Sequence, residues 1–588
     1  MLHILLILLL AAAASPSVAD APFPLPGQRG VCVTEWDGGE RIEIPLEVLG
    51  TLEGTGPDRD ALLVRLLDPR FADSGLAAGM SGSPVYVDGA LVGAIAFGWP
   101  FAREPLAGVT PIERMREIRP AEMVRAGIPN RAPIVLSRIS ALATGDTTPE
   151  EILSDLPRLN AGQRVAVSLS GLPVPDPFGA AVLQTVGLEA VIGGGTATDA
   201  SIPEAGEMVA ALLAWGDATI AAAGTVTSRD GDSLLAFGHP LFGLGDVRLP
   251  AARARVLAVQ RSFQIAFKVS QTGLPFGAVV ADRPAGILVD ATQTVEGLPL
   301  SVRVRDGAGE HTWEFAVAPV PLLQPLLVTF LVNASLAARG AALGDTTVTM
   351  VQTVTLEDGR TLTLRHALQG PDSRARTAAL AGALTDLLTN SPFPGPRIRR
   401  VAVELEQREE APGMRIVRVF PARTSLRAGQ QLAVTVVLQP RGGDPVEQKL
   451  LLTVPATTPP GPLDLIVADG AAWGDYQIRQ QGVSPTRFED QLAALALLEP
   501  ATNLVAALES RDRGITVAGR PQPSLPPSWA ATLAIGLGRT GVQRLTTAPV
   551  AVTRWPAPEP LAGAVRIPLT ILDGPGDEDA ARGNRSQP

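Results

Sequence analysis

One cysteine, Cys32, leaves no partner for an internal disulfide, so no sulfur framework holds this chain together. Aromatic residues make up only 4% of it against 46% hydrophobic overall, so its cores must be assembled from Val, Leu, Ile and Ala. Positive charge is in deficit, and a formal net charge of −10 argues against nucleic acid as a partner. Walker-type phosphate loops, Cys-x-x-Cys pairs and His-x-x-x-His spacings are all missing, so the sequence points to no nucleotide, no metal and no other cofactor. The basic residues are almost all arginine, a bias that fits a GC-rich genome. Histidine is scarce as well: His3, His239, His311 and His366 are the whole supply of imidazole.

What is present begins with an apolar run, Leu2 to Ala14, followed by the small residues Ser15-Pro16-Ser17-Val18-Ala19. That order predicts a signal peptide over residues 1–21, cut after Ala19 or Ala21, and export to the periplasm or exterior of a bacterial cell. The segment before the run carries no Lys or Arg, and an uncleaved anchor is the alternative, although the run is short for a bilayer. Cys32 lies too far from the run to be a lipoprotein cysteine. The 59 glycines and 53 prolines are spread along the chain, which predicts many short strands and turns.

The most informative stretch is Gly79-Met80-Ser81-Gly82-Ser83-Pro84. Gly-x-Ser-Gly-x-Pro is how chymotrypsin-like double-β-barrel serine peptidases hold a nucleophile. A glycine-permitted turn just before a strand can aim the N–H groups of Gly79 and Ser81 at one spot beside the Ser81 hydroxyl, forming an oxyanion hole. Downstream, Pro84 to Val87 alternate, Asp88-Gly89 predicts a two-residue hairpin turn, and Ala90 to Trp99 returns as a strand. Its Ala94, Ala96 and Gly98 edge is positioned to pair with an extended substrate backbone. Pro105 to Ile112 then reads as a strand and Glu113 to Ile118 as a short helix.

A nucleophilic serine needs a base, and histidine is the usual one because it titrates near neutrality. His239 follows a strand that starts in the stretch from Asp232, ends at Gly238 and opens into a glycine-rich loop, whereas His311 and His366 sit in polar, strand-like stretches without special turn chemistry. The serine therefore precedes the candidate base His239, the reverse of trypsin.

These two blocks resemble the stage IV sporulation protein B type of serine peptidase. Asp68-Pro69-Arg70 leading into GMSGSPVYVDGALVGAIAF is similar to that family's nucleophile element. Ala236-Phe237-Gly238-His239-Pro240, followed by Phe267-Lys268 and Asp282-Arg283-Pro284-Ala285-Gly286, is similar to its histidine element. The resemblance implies Ser81 as nucleophile, His239 as base and an acidic role for Asp68, with the two barrels permuted within the chain. Asp68 lies on the serine side and could instead shape the turn, while Asp282 belongs to the histidine block and could orient the imidazole. Asp232 and Asp246 read as turn formers. Ala96 stands where the family carries a hydroxyl residue.

The expected fold is mainly β. After the signal segment come a serine-bearing barrel over 22–120, a connector over 121–204 with helix-start chemistry at Thr148, and a histidine-bearing barrel over 205–295. Then follow a β domain with a buried helix over 296–370, a helix and Pro-rich linker over 371–397, an immunoglobulin-like sandwich over 398–575 and a disordered tail over 576–588. Three functions fit: an exported serine endopeptidase acting on polypeptide, a degenerate peptidase fold that binds polypeptide without cutting it, and a structural envelope protein that meets a partner through its sandwich.

Overall fold

The computed structural model describes residues 24–54, 60–71, 75–99, 104–120, 135–155, 165–262, 266–340, 344–410, 412–480, 485, 487–511, 515–517, 520–522, 528–529, 532, 542–544 and 547–574. The signal segment, His3 and the tail lie outside the described residues.

Alternating side chains build the first barrel from β1 (Arg29–Glu35), β2 (Arg41–Leu52), β3 (Ala61–Leu66), the two-residue β4 (Ala77–Ala78), β5 (Pro84–Val87), β6 (Ala90–Phe97) and β7 (Leu106–Pro111). Six of these close in the order β1-β2-β3-β7-β6-β5, and β4 stands apart. Inward-facing Ile44, Leu46, Val64, Val85 and Val109 fill the interior. Asp88 and Gly89 both take positive φ, 51° and 79°, the backbone of the tight hairpin turn read from the sequence. The short helix α1 (Ile112–Arg116) follows directly.

The connector is more ordered than its composition suggests. It carries α2 (Leu136–Thr144), α3 (Pro149–Ser154), β8 (Val165–Ser170), α4 (Pro177–Thr185) and β9 (Leu188–Ile192). Thr148 and Glu151 form a reciprocal capping box at the start of α3.

A second ring follows from β10 (Met208–Gly216), β11 (Thr219–Asp230), β12 (Ser233–Ala236), β13 (Gly245–Gln260), β14 (Ala266–Arg283) and β15 (Gly286–Asp290). The antiparallel pairings run β10-β13-β14-β15-β12-β11 and return from β11 to β10, so this sheet also closes on itself. Part of its packing rests on alanine, with Ala210, Ala221, Ala252 and Ala254 clustered around Met208 and Leu212, which explains how a chain so poor in aromatics fills it.

Strands spread from this ring on both sides. β8 adds to β11, while β17 (Gly309–Val317), hairpin partner of β16 (Leu298–Asp306), adds to β10. Beyond them, past the buried helix α5 (Gln324–Ala338), lie β18 (Thr346–Leu356) and β19 (Thr361–Gly370); α6 (Ser373–Thr389) packs on α5 and on this sheet. The next strand, β20 (Ile398–Arg408), was expected to open the sandwich. Instead it lies in this sheet, parallel to β16 and antiparallel to β18, because its Val401, Val403 and Leu405 bury their side chains in the same core as α5 and α6.

The sandwich begins one strand later, with β21 (Met414–Pro421), β22 (Ser425–Leu426), β23 (Gln431–Pro440), β24 (Val446–Thr453) and β25 (Gly461–Asp469). Two helices the sequence reading did not anticipate, α7 (Gly470–Gln480) and α8 (Phe488–Leu495), precede β26 (Asn503–Arg511). A small sheet of β27 (Ile515–Val517), β28 (Arg520–Gln522) and β29 (Val542–Arg544) comes next. Then β30 (Thr547–Pro556), β31 (Leu561–Ala562) and β32 (Ala564–Ile571) finish the second sheet and add an edge to the first. Leu432, Val434 and Val436 meet Leu463, Leu465, Val467 and Leu504 between the two sheets. On the far side of the second sheet, Trp473 of α7 packs fully buried against Ile466 and Val505. Among the described residues no helix is long and apolar enough to cross a membrane.

Candidate active site

The turn that carries Ser81 needs two glycines. Gly79 has φ +96° and Gly82 φ +93°, and a side chain on Gly82 would stand 1.9 Å from the Thr225 carbonyl oxygen and 2.5 Å from the Phe237 nitrogen. This turn is therefore pressed onto the second barrel. The Gly82 N–H donates to the Ile95 carbonyl at 2.7 Å, and the Ile95 N–H donates to the Ser83 carbonyl at 3.0 Å, which fixes the turn to β6.

The other barrel grips the same turn from β11. The Thr225 N–H donates to the Ser81 carbonyl at 2.7 Å, the Thr225 hydroxyl to the Gly79 carbonyl at 2.8 Å, and the Thr227 hydroxyl to the Gly82 carbonyl at 2.7 Å. Both threonines are fully buried. Just upstream, Ala77–Ala78 pair in parallel with Ala266–Phe267 of β14, so the approach to the turn belongs to the sheet of the histidine barrel. Ser81 itself is partly exposed, and among the described residues neither its hydroxyl nor its N–H has a hydrogen-bond partner within the protein.

His239 reaches the same seam from the far end of β12. The Phe237 N–H donates to the Thr225 carbonyl at 3.3 Å, so the residue two before the imidazole bonds to the residue that holds Ser81. Phe237 is buried with φ +73°, a left-handed conformation costly for a bulky side chain and typical of functional turns. Gly238 then lies against Ile95 of β6, and its carbonyl accepts the Thr110 hydroxyl of β7 at 2.6 Å. Nδ1 of His239 is 2.8 Å from the Pro240 carbonyl; that contact places the hydrogen on Nδ1 and leaves Nε2 as the basic nitrogen. Burial holds the imidazole below its ordinary pKa, opposed by the Pro240 bond and the Asp282 charge. Among the described residues no hydrogen bond joins His239 to Ser81.

Asp282 is 1% exposed and spends its carboxylate on the loop after the histidine. Oδ1 accepts from the Leu241 N–H at 2.8 Å, and Oδ2 from Phe242 at 2.7 Å and Leu244 at 3.2 Å. Burial raises its pKa, and these N–H bonds oppose the rise. It holds the histidine loop rather than the imidazole ring. Asp68 is engaged within its own turn, where its oxygens take the Arg70 guanidinium at 3.0 and 2.6 Å and the Arg70 N–H at 2.9 Å; the guanidinium lowers its pKa. Among the described residues no contact joins Asp68 to Ser81 or His239. Asp246 pairs with Arg283 at 2.5 Å. His311 is exposed beside Trp313, and His366 is buried in β19, its pKa pushed down to about 4 by burial, both away from this seam.

The expected substrate edge lies on β6 and the residue that follows it. Ala94 is fully buried between Pro84 and Thr110, and Ala96 is 5% exposed, whereas Gly98 is exposed. β5 stops pairing at Ala94, and past Ile95 only β7 pairs with the strand among the described residues, while the Leu76 side chain lies against Gly98.

Sequence reasoning missed a buried polar cluster directly beneath the turn. Lys268 of β14 is 5% exposed; its stem packs on Gly79, and Nζ donates to the Thr34 hydroxyl at 2.7 Å. Thr34 Oγ1 is 2.8 Å from Ser83 Oγ, which is 2.6 Å from the Met80 carbonyl. Glu35 accepts the Val256 N–H at 2.7 Å and the Met208 N–H at 3.2 Å across the seam, and Cys32 is sealed in the same pocket. Burial drives Lys268 down to about 7 and Cys32 up to about 12, and raises Glu35. A signal was present: the chain has only two lysines, Lys268 and Lys449, and the first interrupts the apolar strand AFKVS. Among the described residues no group of His, Cys, Asp and Glu is arranged to hold a metal ion.

Compared with family models, curated proteins and solved structures, the chain matches none.

Proposed function

We propose that this chain is an exported serine endopeptidase. Ser81 attacks a peptide carbonyl, Nε2 of His239 takes the hydroxyl proton and returns it to the leaving amine, and the Gly79 and Ser81 N–H groups receive the developing oxyanion. Water then repeats the sequence on the acyl-enzyme. The observation that carries this reading is the single seam at which β11 bonds both the serine turn, at 2.7 Å through Thr225, and the strand end that opens into His239. Nδ1 of His239 is occupied by the Pro240 carbonyl, which leaves the ring in the tautomer a general base requires. Asp282 serves as the orienting acid at one remove, by fixing the loop that follows the imidazole. Substrate polypeptide enters as an added strand along Ala96–Gly98, and the sandwich offers a surface for an envelope partner.

A second reading, polypeptide binding without cleavage, is favoured by the missing hydrogen bond between Ser81 and His239, although such bonds often tighten only when substrate is present. The two readings separate on an unfolded, fluorescently labelled casein. Cleavage that is lost in Ser81→Ala supports the peptidase. Tight binding by wild type and Ser81→Ala alike, with the casein left intact, supports the binder.

A further inference from the structure

The Met80–Ser81 peptide has two ends. Its N–H belongs to Ser81, has no partner among the described residues, and is one of the two oxyanion donors of the reaction proposed above. Its carbonyl belongs to Met80 and accepts twice, from the Ser83 N–H at 2.9 Å and from the Ser83 hydroxyl at 2.6 Å. Because a peptide is planar, whatever fixes the carbonyl also aims the N–H.

The hydrogens along the buried cluster can be assigned by counting. A carbonyl only accepts, so the single Ser83 hydroxyl hydrogen goes to Met80. The Thr34 hydroxyl then supplies the hydrogen of its 2.8 Å contact with Ser83, and its own oxygen accepts from Lys268 at 2.7 Å. The result is one directed chain, Lys268 to Thr34 to Ser83 to the Met80 carbonyl, with the Cys32 thiol as a further hydrogen-bond neighbour of Ser83. Thr34 and Ser83 are fully buried, so water does not compete along it. Hydrogen bonds in series polarise one another in such surroundings. The titratable groups facing the ammonium are Glu35 and Cys32, both of β1, and Arg253 faces Glu35 from β13.

We propose that Lys268 is a positioning residue for the oxyanion hole: through Thr34 and Ser83 it fixes and polarises the Met80–Ser81 peptide so that the Ser81 N–H points at the reacting oxygen. This rests on the peptidase reading for its consequence in rate, but the relay itself is a property of the turn. It also gives a role to one of the chain's two lysines, placed within an apolar strand with its stem on Gly79 and its ammonium on Thr34.

The test measures the rate at which a fluorophosphonate labels Ser81 in Ser83→Ala, Thr34→Val, Thr34→Ser and Lys268→Met, alongside thermal unfolding and the ¹H–¹⁵N shift of the Ser81 amide. A misaimed donor should slow labelling about ten-fold or more in Ser83→Ala and Thr34→Val. Thr34→Ser keeps the hydroxyl and should label at the wild-type rate, and Lys268→Met combined with Ser83→Ala should be no slower than the slower single variant. If Lys268→Met does not fold, the Thr34 pair carries the comparison. Wild-type labelling rates in both Ser83→Ala and Thr34→Val would overturn the relay. If wild type itself does not label, the peptidase reading fails and the amide shift decides alone: displacement in Ser83→Ala and Thr34→Val but not in Thr34→Ser supports the relay, and an unmoved Ser81 resonance overturns it.

Discussion

The Thr225 N–H donates to the Ser81 carbonyl at 2.7 Å, so a strand of the second barrel hydrogen-bonds directly to the serine turn of the first. Neither barrel makes the turn alone. The side chains of Thr225 and Thr227 add two more bonds to glycine carbonyls on either side of Ser81.

Removing those hydroxyls should therefore loosen the seam. Thr227→Val leaves the buried Gly82 carbonyl without its threonine partner and is expected to cost about 1–3 kcal/mol, with Thr225→Val similar through Gly79. Thr225→Ser and Thr227→Ser should cost less, because the donor stays. Urea unfolding midpoints check this, and valine variants as stable as wild type would contradict it.

Gly82→Ala and Gly89→Ala separate crowding from backbone strain. Both glycines have positive φ, but only at Gly82 does an added carbon meet backbone, 1.9 Å from the Thr225 oxygen, whereas at Gly89 nothing lies within 4 Å. Gly89→Ala should cost about 1–2 kcal/mol. Gly82→Ala should exceed about 4 kcal/mol or prevent the barrels from docking, read as lost solubility or a collapsed thermal transition. Equal stability of the two variants would be the contrary result.

His366 should make the fold acid-sensitive. It is 2% exposed, its Nε2 has no partner among the described residues, and burial sets its folded pKa at about 4 against an ordinary 6.5. Between those values the unfolded chain binds a proton that the native state refuses, so stability falls as pH drops from 6.5 to 4, by about 3 kcal/mol in total. Above 6.5 this group has no effect. In His366→Met that part of the pH dependence should vanish, as measured by unfolding free energies at pH 4.5 and 7; an unchanged difference between the two would refute the assignment.

The pH profile of catalysis should report His239. In the proposed mechanism His239 acts in its neutral form, and burial lowers its pKa, so the acid limb of kcat/KM should lie below the ordinary histidine value of about 6.5. Asp282 favours the charged imidazole, so Asp282→Asn should move that limb to still lower pH while reducing the rate, because the loop from Leu241 to Leu244 loses its charged acceptor. A limb that moves upward in Asp282→Asn would contradict this arrangement.

Local chemistry was legible in the sequence, and long-range pairing was not. Asp88-Gly89 takes both positive φ angles of its hairpin, Thr148 and Glu151 cap their helix, and the glycines around Ser81 adopt the left-handed backbone their motif implied. Each of those depends on a few adjacent residues. By contrast, Thr225 and Thr227 reach Gly79 and Gly82 across 146 and 145 residues of sequence, and nothing in their strand marks them as latches. The Lys268 cluster joins β14 to β1 across 234 residues and was hidden for the same reason. β20 shows the matching failure at the level of sheets. Its period-2 pattern predicts a strand and one buried face, but whether that face meets α5 and α6 or the sandwich is decided by partners elsewhere in the chain.

Intact-mass analysis of the folded protein after exposure to a fluorophosphonate, followed by peptide mapping, tests the central claim most directly. The account predicts one adduct, on Ser81, absent in Ser81→Ala and formed about 10²-fold or more slowly in His239→Ala. A folded wild-type chain that takes up no adduct, or takes it up at the same rate without His239, would contradict it.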